Sequence, residues 1–251
     1  VLIKVEKYLS KVIARDGAVH LTLIDPDKQE PKIAGKIAEE ATIAGTDGIM
    51  VGGSTETTNQ LDQTVLSIKD ATGLPIILFP DSERSISKHA DAIFFMSLLN
   101  SRNPYFIIGA QRLAAPLIKK FGLQLLPMAY LIIEPGQKAG RIGKANLIPR
   151  NDSDLAATYA LAGQYLGMKF VYLEAGSGAR EPVPVKMVRV VRKTINAKLI
   201  VGGGIRTPKA AADRVKAGAD IIVTGTLVER FADRVARIGE IVRAIKACGG
   251  A

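Results

Sequence analysis

Cysteine is almost absent from this chain. Cys248 is the only one among 251 residues, so neither an internal disulfide nor a cysteine-built metal site is available. Histidine is nearly as scarce: His20 and His89 stand alone, without a third ligand at a zinc spacing, and both read as structural. Tryptophan is missing and aromatic residues make up 5% of the chain, too few for the basic and aromatic surface of a nucleic-acid binder, so no nucleic-acid partner is expected. No uninterrupted apolar run reaches the ~18 residues of a membrane span. The stretch Val1 to Ser10 is amphipathic, with Lys4, Glu6 and Lys7, which argues against a secretory signal. These absences together lead us to expect an intracellular, cytoplasmic protein without a transmembrane segment.

What is present is an excess of basic charge, 34 Lys and Arg against 24 Asp and Glu. The cations are spread along helical stretches, as in Lys186, Arg189, Arg192 and Lys193 or Arg230, Arg234, Arg237 and Arg243. Such spreading suits anionic substrates, or transient contact with an anionic membrane surface, better than a dense binding block. With 47% hydrophobic residues the chain can bury one large core, so residues 1–251 are read as a single domain.

Eight short hydrophobic runs punctuate it: Ala18 to Ile24, Gly48 to Val51, Pro75 to Phe79, Ala92 to Met96, Leu123 to Ile133, Lys169 to Leu173, Lys198 to Val201 and Asp220 to Val223. Helical periodicity fills most of the gaps. Examples are Ile33, Ile37, Ala41 and Ala44; the weaker Leu61, Val65 and Ile68; and Leu155, Tyr159, Ala162 and Leu166. Thr207 before Pro208 reads as an N-cap, and Gly218 as the stop of the same helix. Strands alternating with helices imply parallel pairing, and eight such units favour closure into a (β/α)8 TIM barrel. The third unit is short: Pro80 to Asp91 leaves little room for a crossover helix, which predicts a barrel with a reduced or missing third helix and an exposed apolar wall beside it. The fifth is long, with a glycine- and lysine-rich stretch from Pro135 to Lys144 that reads as a lid or binding loop.

The chemistry gathers at strand ends. Gly202-Gly203-Gly204-Ile205-Arg206 follows Leu199-Ile200-Val201, and Thr224-Gly225-Thr226 follows Ile221-Ile222-Val223. Glycines there let backbone N–H groups approach an anion, and two such turns on the last two strands of a barrel hold one phosphate. The sixth strand leads into Tyr172-Leu173-Glu174-Ala175-Gly176-Ser177-Gly178. Period two puts Tyr172 and Glu174 on one side and Leu173 on the other. Facing inward, Glu174 would take a proton from a hydroxyl nucleophile; facing a neighbour, it would pair with Arg206. Asp25 ends the first strand and Ser54 the second, a pair suited to Mg2+ carried by a diphosphate. Capping of a following helix is the other use open to each.

The segments His20-Leu21-Thr22-Leu23-Ile24-Asp25-Pro26-Asp27-Lys28, Val51-Gly52-Gly53-Ser54, Tyr172 to Gly178, Gly202 to Arg206 and Gly225-Thr226 together resemble the geranylgeranylglyceryl phosphate synthase family, over about Tyr8 to Lys246. The resemblance implies a prenyltransferase that joins sn-glycerol 1-phosphate to geranylgeranyl diphosphate in archaeal ether-lipid biosynthesis. It implies Mg2+ at Asp25 and Ser54, with Glu174 and Asp25 as the catalytic residues. Substrate would be bound by Lys28, Tyr172, Leu173, Glu174, Ala175, Gly176, Ser177, Gly178, Gly203, Gly204, Gly225 and Thr226. Phe79, Phe94, Phe95, Tyr105, Phe106 and Tyr130 are candidates for lining a prenyl groove. Members of the family form dimers or hexamers, often with a tryptophan where this chain has Arg141. A homo-oligomer is expected here, a dimer that does not readily become a hexamer, because a guanidinium cannot supply the apolar contact of an indole.

Two other readings share the phosphate cup. A phosphosugar isomerase or aldolase-like barrel would want an interior lysine or a second carboxylate, for which Asp81, Ser97 and Glu134 stand at strand ends. A non-catalytic phosphate-binding scaffold would need neither Asp25 nor Glu174.

Overall fold

The computed structural model describes residues 4–52, 58–226 and 233–249. Eight parallel strands close into a barrel in chain order: β1 (Val19–Ile24), β2 (Gly48–Val51), β3 (Ile76–Leu78), β4 (Ala92–Leu98), β5 (Gln124–Ile132), β6 (Phe170–Glu174), β7 (Lys198–Gly202) and β8 (Ile221–Thr224). β1 pairs with both β2 and β8, which leaves no free edge. Alternation along the strands sends Leu21, Met50, Ile77, Phe94, Met128, Phe170, Ile200 and Val223 into the interior, where they form a filled core.

An amino-terminal helix that the strand count did not anticipate, α1 (Val5–Asp16), places Val5, Leu9 and Val12 in that interior cluster and closes the floor of the barrel. It is fastened there by the Val5 N–H donating to Gln124 Oε1 at 2.6 Å. At its other end Lys246 Nζ spans Asp16 and Asp47, each at 2.7 Å.

The outer wall comprises α2 (Pro31–Ile43), α3 (Thr58–Ala71), α4 (Ala110–Phe121), a short α5 (Gln137–Ile142), α6 (Ser153–Tyr165), α7 (Val185–Thr194), α8 (Pro208–Lys216) and α9 (Arg234–Lys246). The expected N-cap is present: the Ala210 N–H donates to Thr207 Oγ1 at 3.2 Å. One helix face departs from expectation. Ala162 and Leu166 of the predicted stripe are exposed, and α6 instead buries Ser153, Ala156, Ala157, Ala160 and Gly163. A Cβ on Gly163 would stand 2.6 Å from that of Ala129, so small residues set the face by letting the helix approach β5 closely.

No helix forms between β3 and β4. The link instead inserts Ile86 and Ala90 into the outer core beside Ala114 and Ile118 of α4. A π-helical turn, Tyr105–Gly109, precedes α4 and was not foreseen. The glycine-rich stretch after β5 is ordered: it contains α5 and is tied back by bridges from Ala145 to Ser101 and from Ile148 to Ile133.

His20 points outward from β1 into a dry polar cluster, with Nδ1 2.8 Å from Thr46 Oγ1 and Nε2 2.9 Å from Thr224 Oγ1. This is the structural role its isolation suggested. Burial, with a smaller push from Lys246, holds its pKa down at about 3. Because the folded pKa lies below the unfolded one, the stabilisation is complete above the ordinary histidine pKa and drains away as pH falls below it. Between pH 7 and pH 5 the protein is expected to lose about 2 kcal/mol through this group, and His20→Asn to be spared that part of the loss. Urea unfolding at both pH values checks it; identical losses in both proteins would remove His20 from the account.

Candidate active site

The carboxyl end of β6 carries a charge-capable group into the barrel mouth. Glu174 is 6% exposed, and its Oε1 accepts the Gly176 N–H at 2.6 Å. The hydroxyls of Tyr172 and Tyr130 also donate to the carboxylate. Burial raises the Glu174 pKa, and these three donors pull it only part of the way back. Both tyrosines are pushed well above the usual phenol range, first by burial and then by the Glu174 charge. The two rings lie 5.3 Å apart and each packs on Phe79, at 5.4 and 5.6 Å, so the acid rests on an aromatic floor. The alternative pairing with Arg206 does not occur; that guanidinium donates to the Arg180 carbonyl at 3.3 Å.

Glycine builds the rim around this group. A side chain on Gly203 would overlap Glu174 Oε1 and stand 2.7 Å from the Gly176 nitrogen, and Gly203 also has φ +79°. Gly176, Gly178 and Gly204 share positive φ, a conformation that favours glycine at these turns. Gly225 lies against Leu23 of β1, continuing the ring toward Asp25, and Thr226 follows it half-buried. Ser177 is exposed at the mouth.

Two predicted binding residues are not brought in by their side chains. Leu173 and Ala175 are fully buried in the outer core, facing the helices. Period two dictates this, and the Ala175 N–H and C=O are already bonded to Gly202 and Gly136.

Asp25 stands on the β1 side of the mouth, with Oδ1 accepting from the Asp27 N–H at 3.1 Å and Oδ2 3.4 Å from Lys28 Nζ. It does not cap α2, whose N-cap is Glu30. Ser54 and Gly53 lie outside the described residues. Among the described residues no group of three or more His, Cys, Asp or Glu could hold a metal. A single carboxylate at an open rim is nevertheless a fit for Mg2+, which keeps its waters and takes its other oxygens from phosphates.

From this rim a cavity of about 250 Å3, partly open to solvent, passes Phe79 and Tyr130 and continues beside the missing helix between β4, Ile86 and α4. Of the six aromatic candidates, Phe79, Phe94, Phe95, Phe106 and Tyr130 border it. Tyr105 does not; its hydroxyl donates to Glu83 at the edge. The roof includes Gln111, which donates to the carbonyls of Met96 and Phe106 and so ties the π-helical turn to β4. Sequence reasoning missed the second role of Tyr130, a hydroxyl donor to Glu174. Its only signal is the cross-strand register that sets Tyr130 opposite Tyr172.

The strand-end residues suited to other barrel chemistries are engaged locally. Ser97 donates to the Ile107 carbonyl at 2.6 Å, Asp81 accepts from Ser85 at 2.6 Å, and Glu134 accepts from the Arg150 N–H at 3.3 Å.

Comparison with known proteins agrees with this geometry. The sequence profile of the PcrB family matches residues 11–245. A geranylgeranylglyceryl phosphate synthase of Pyrococcus horikoshii is 58% identical over 228 residues, 90% of this chain and 89% of the relative. The crystal structure of (S)-3-O-geranylgeranylglyceryl phosphate synthase from Thermoplasma acidophilum, in complex with substrate sn-glycerol-1-phosphate, matches with TM-score 0.94 and 47% identity, covering 98% of this chain and all of that one. Wild-type GGGPS from Thermoplasma volcanium matches with TM-score 0.90 and 48% identity, over 95% of this chain and 97% of its own.

A carboxyl group whose folded pKa is raised costs no stability below its unfolded pKa, and the cost grows as pH climbs from that value through the folded one. Glu174→Gln is therefore expected to be more stable than the parent at pH 8, with the gain shrinking as pH falls toward 4. Thermal unfolding at both pH values tests this. A variant less stable at pH 8 would show that the charge is fully compensated where it lies.

Proposed function

The chain belongs to the PcrB family, and we propose from that membership and from its site that it is a prenyltransferase of archaeal ether-lipid biosynthesis. It joins the 3-hydroxyl of sn-glycerol 1-phosphate to C1 of geranylgeranyl diphosphate, giving geranylgeranylglyceryl phosphate and diphosphate. The observation that carries this reading is the continuity of a single cavity from a buried carboxylate ringed by glycine amides into an apolar groove. One substrate end is a small polyol phosphate; the other is a long hydrocarbon.

The phosphate of glycerol phosphate rests on the Ser177-Gly178, Gly203-Gly204 and Gly225-Thr226 turns, beside the Gly176 amide that holds Glu174. The glycerol hydroxyls then reach Glu174. Its raised pKa makes it a better proton acceptor than an exposed carboxylate, and Tyr172 and Tyr130 hold it in one orientation. As the bond from C1 to the diphosphate oxygen breaks, the hydroxyl oxygen attacks C1 and its proton passes to Glu174. Asp25, with Ser54, would hold magnesium on the leaving-group side. When bound, that ion stabilises the negative charge gathering on the diphosphate. The groove takes the prenyl chain, and its apolar lining keeps water from the cationic carbon.

The site is expected to work in the cytoplasm with transient contact to a membrane surface; no helix among the described residues is long and apolar enough to cross one. Leu66 of α3 and Leu113 of α4, on helices either side of the helix-less unit, are 39% and 45% exposed. Burying such flanks gains about 25 cal/mol per Å2 and supports a homodimer. Arg141 on α5 disfavours further growth to a hexamer, since a guanidinium inside an apolar contact needs a partner or water.

The decisive assay is diphosphate release from allylic diphosphates with glycerol 1-phosphate. The parent should turn over geranylgeranyl diphosphate, and Glu174→Gln should lose at least ~100-fold in kcat with its fold intact. Asp25→Asn should reduce the magnesium-dependent rate far more than it reduces glycerol-phosphate binding by calorimetry; equal losses would make Asp25 an organiser of the whole rim.

Light scattering on a sizing column should give the mass of a dimer, and Arg141→Trp should raise it. A monomer, or a hexamer unaffected by that change, would place the contact surface elsewhere.

A further inference from the structure

The side chains bordering the cavity carry an unbalanced set of charges. Asp25, Asp81, Glu83 and Glu174 are acidic, and Lys138 of α5 is the one cation among the described lining residues. Lys28 reaches Asp25 from the other side and borders a separate polar cleft. A cavity with this lining repels a diphosphate unless cations meet it at the mouth.

Lys138 is held where it can do so. The first turn of α5 is pinned to the Glu174 corner: the Gly136 N–H donates to the Ala175 carbonyl at 3.1 Å, and Gly136 and Gln137 lie against Gly176, where an added Cβ would come within 2.7 Å of both. The next residues along α5, Ala139 and Ile142, border the apolar groove, so Lys138 stands where groove and rim meet. Nothing local consumes its charge. Among the described residues its ammonium makes no hydrogen bond or ion pair, and Glu174 is already bonded by the Gly176 amide and two tyrosine hydroxyls.

We propose that Lys138 binds the diphosphate leaving group of the prenyl substrate, from the side of the mouth opposite Asp25. This rests on the prenyltransferase reading and assigns a second, protein-borne cation to the leaving group. An ammonium there screens the incoming diphosphate from the four carboxylates and neutralises charge as the carbon–oxygen bond breaks. Glycerol phosphate is held by the glycine amides of the rim, so the loss of this ammonium falls mainly on the diphosphate.

Inorganic pyrophosphate, with magnesium, is the probe, as inhibitor and as calorimetric ligand. Lys138→Met is expected to weaken pyrophosphate binding and raise the KM for geranylgeranyl diphosphate about five- to tenfold, leaving the KM for glycerol 1-phosphate within about twofold; Lys138→Arg keeps most of the affinity. The salt dependence of pyrophosphate binding should also flatten in Lys138→Met. Unchanged pyrophosphate affinity in that variant overturns the proposal, as does an equal loss for both substrates. The two readings fail separately. A parent protein with no turnover on any allylic diphosphate sinks the prenyltransferase reading, whereas an active parent whose pyrophosphate affinity ignores Lys138 sinks only this assignment.

Discussion

A carboxyl group held inside an eight-stranded barrel sets the terms for everything around it. Glu174 is nearly sealed from solvent, and an ionised group in that position is tolerable only with donors aimed at it. One is the amide of Gly176, two residues on; the others are phenols from β5 and β6, held at that height by barrel register. Gly202 and Gly203 lack side chains because the Tyr172 hydroxyl and Glu174 Oε1 occupy the space a Cβ would need. The glycines that cup the rim and the acid beneath them are thus one construction. Removing the acid would relieve stability and forfeit chemistry, a tension common at sites that depend on burial.

The omission of a helix after β3 is the second organising fact. In a complete barrel the outer face of β3 and β4 would be covered by a crossover helix. Here Ile86 and Ala90 from an irregular link share that duty with α4, and the coverage is incomplete. The space left over is the groove, continuous with the mouth and lined by the same aromatic residues that support Glu174. A hydrocarbon site is obtained by leaving out an element. The floor of the barrel, by contrast, is closed by α1 beneath the core and tied by the Lys246 bridge to Asp16 and Asp47.

The sequence by itself determined the number and order of the strands, the short third link and the strand ends that carry Asp25, Glu174 and the glycine turns. These are local properties: alternation, β-branching and glycine act over a few residues, and the chain order of a parallel barrel follows from them. What only the tertiary structure decided depends on contacts between distant segments. Half of the stripe read for α6 holds, with Leu155 and Tyr159 packed against the core, but Ala162 and Leu166 face out because close approach to β5 selected alanine and glycine for the buried face. α1 became the floor because its apolar stripe meets the open end of the barrel core, a surface that exists only after closure. Tyr130 acquired its hydrogen bond to Glu174 through the β5–β6 register, and Leu173 and Ala175 lost any side-chain part in the site through the same pleat. Lys138 came to the cavity mouth because α5 folds back on Gly176, a contact between residues whose proximity no local pattern records.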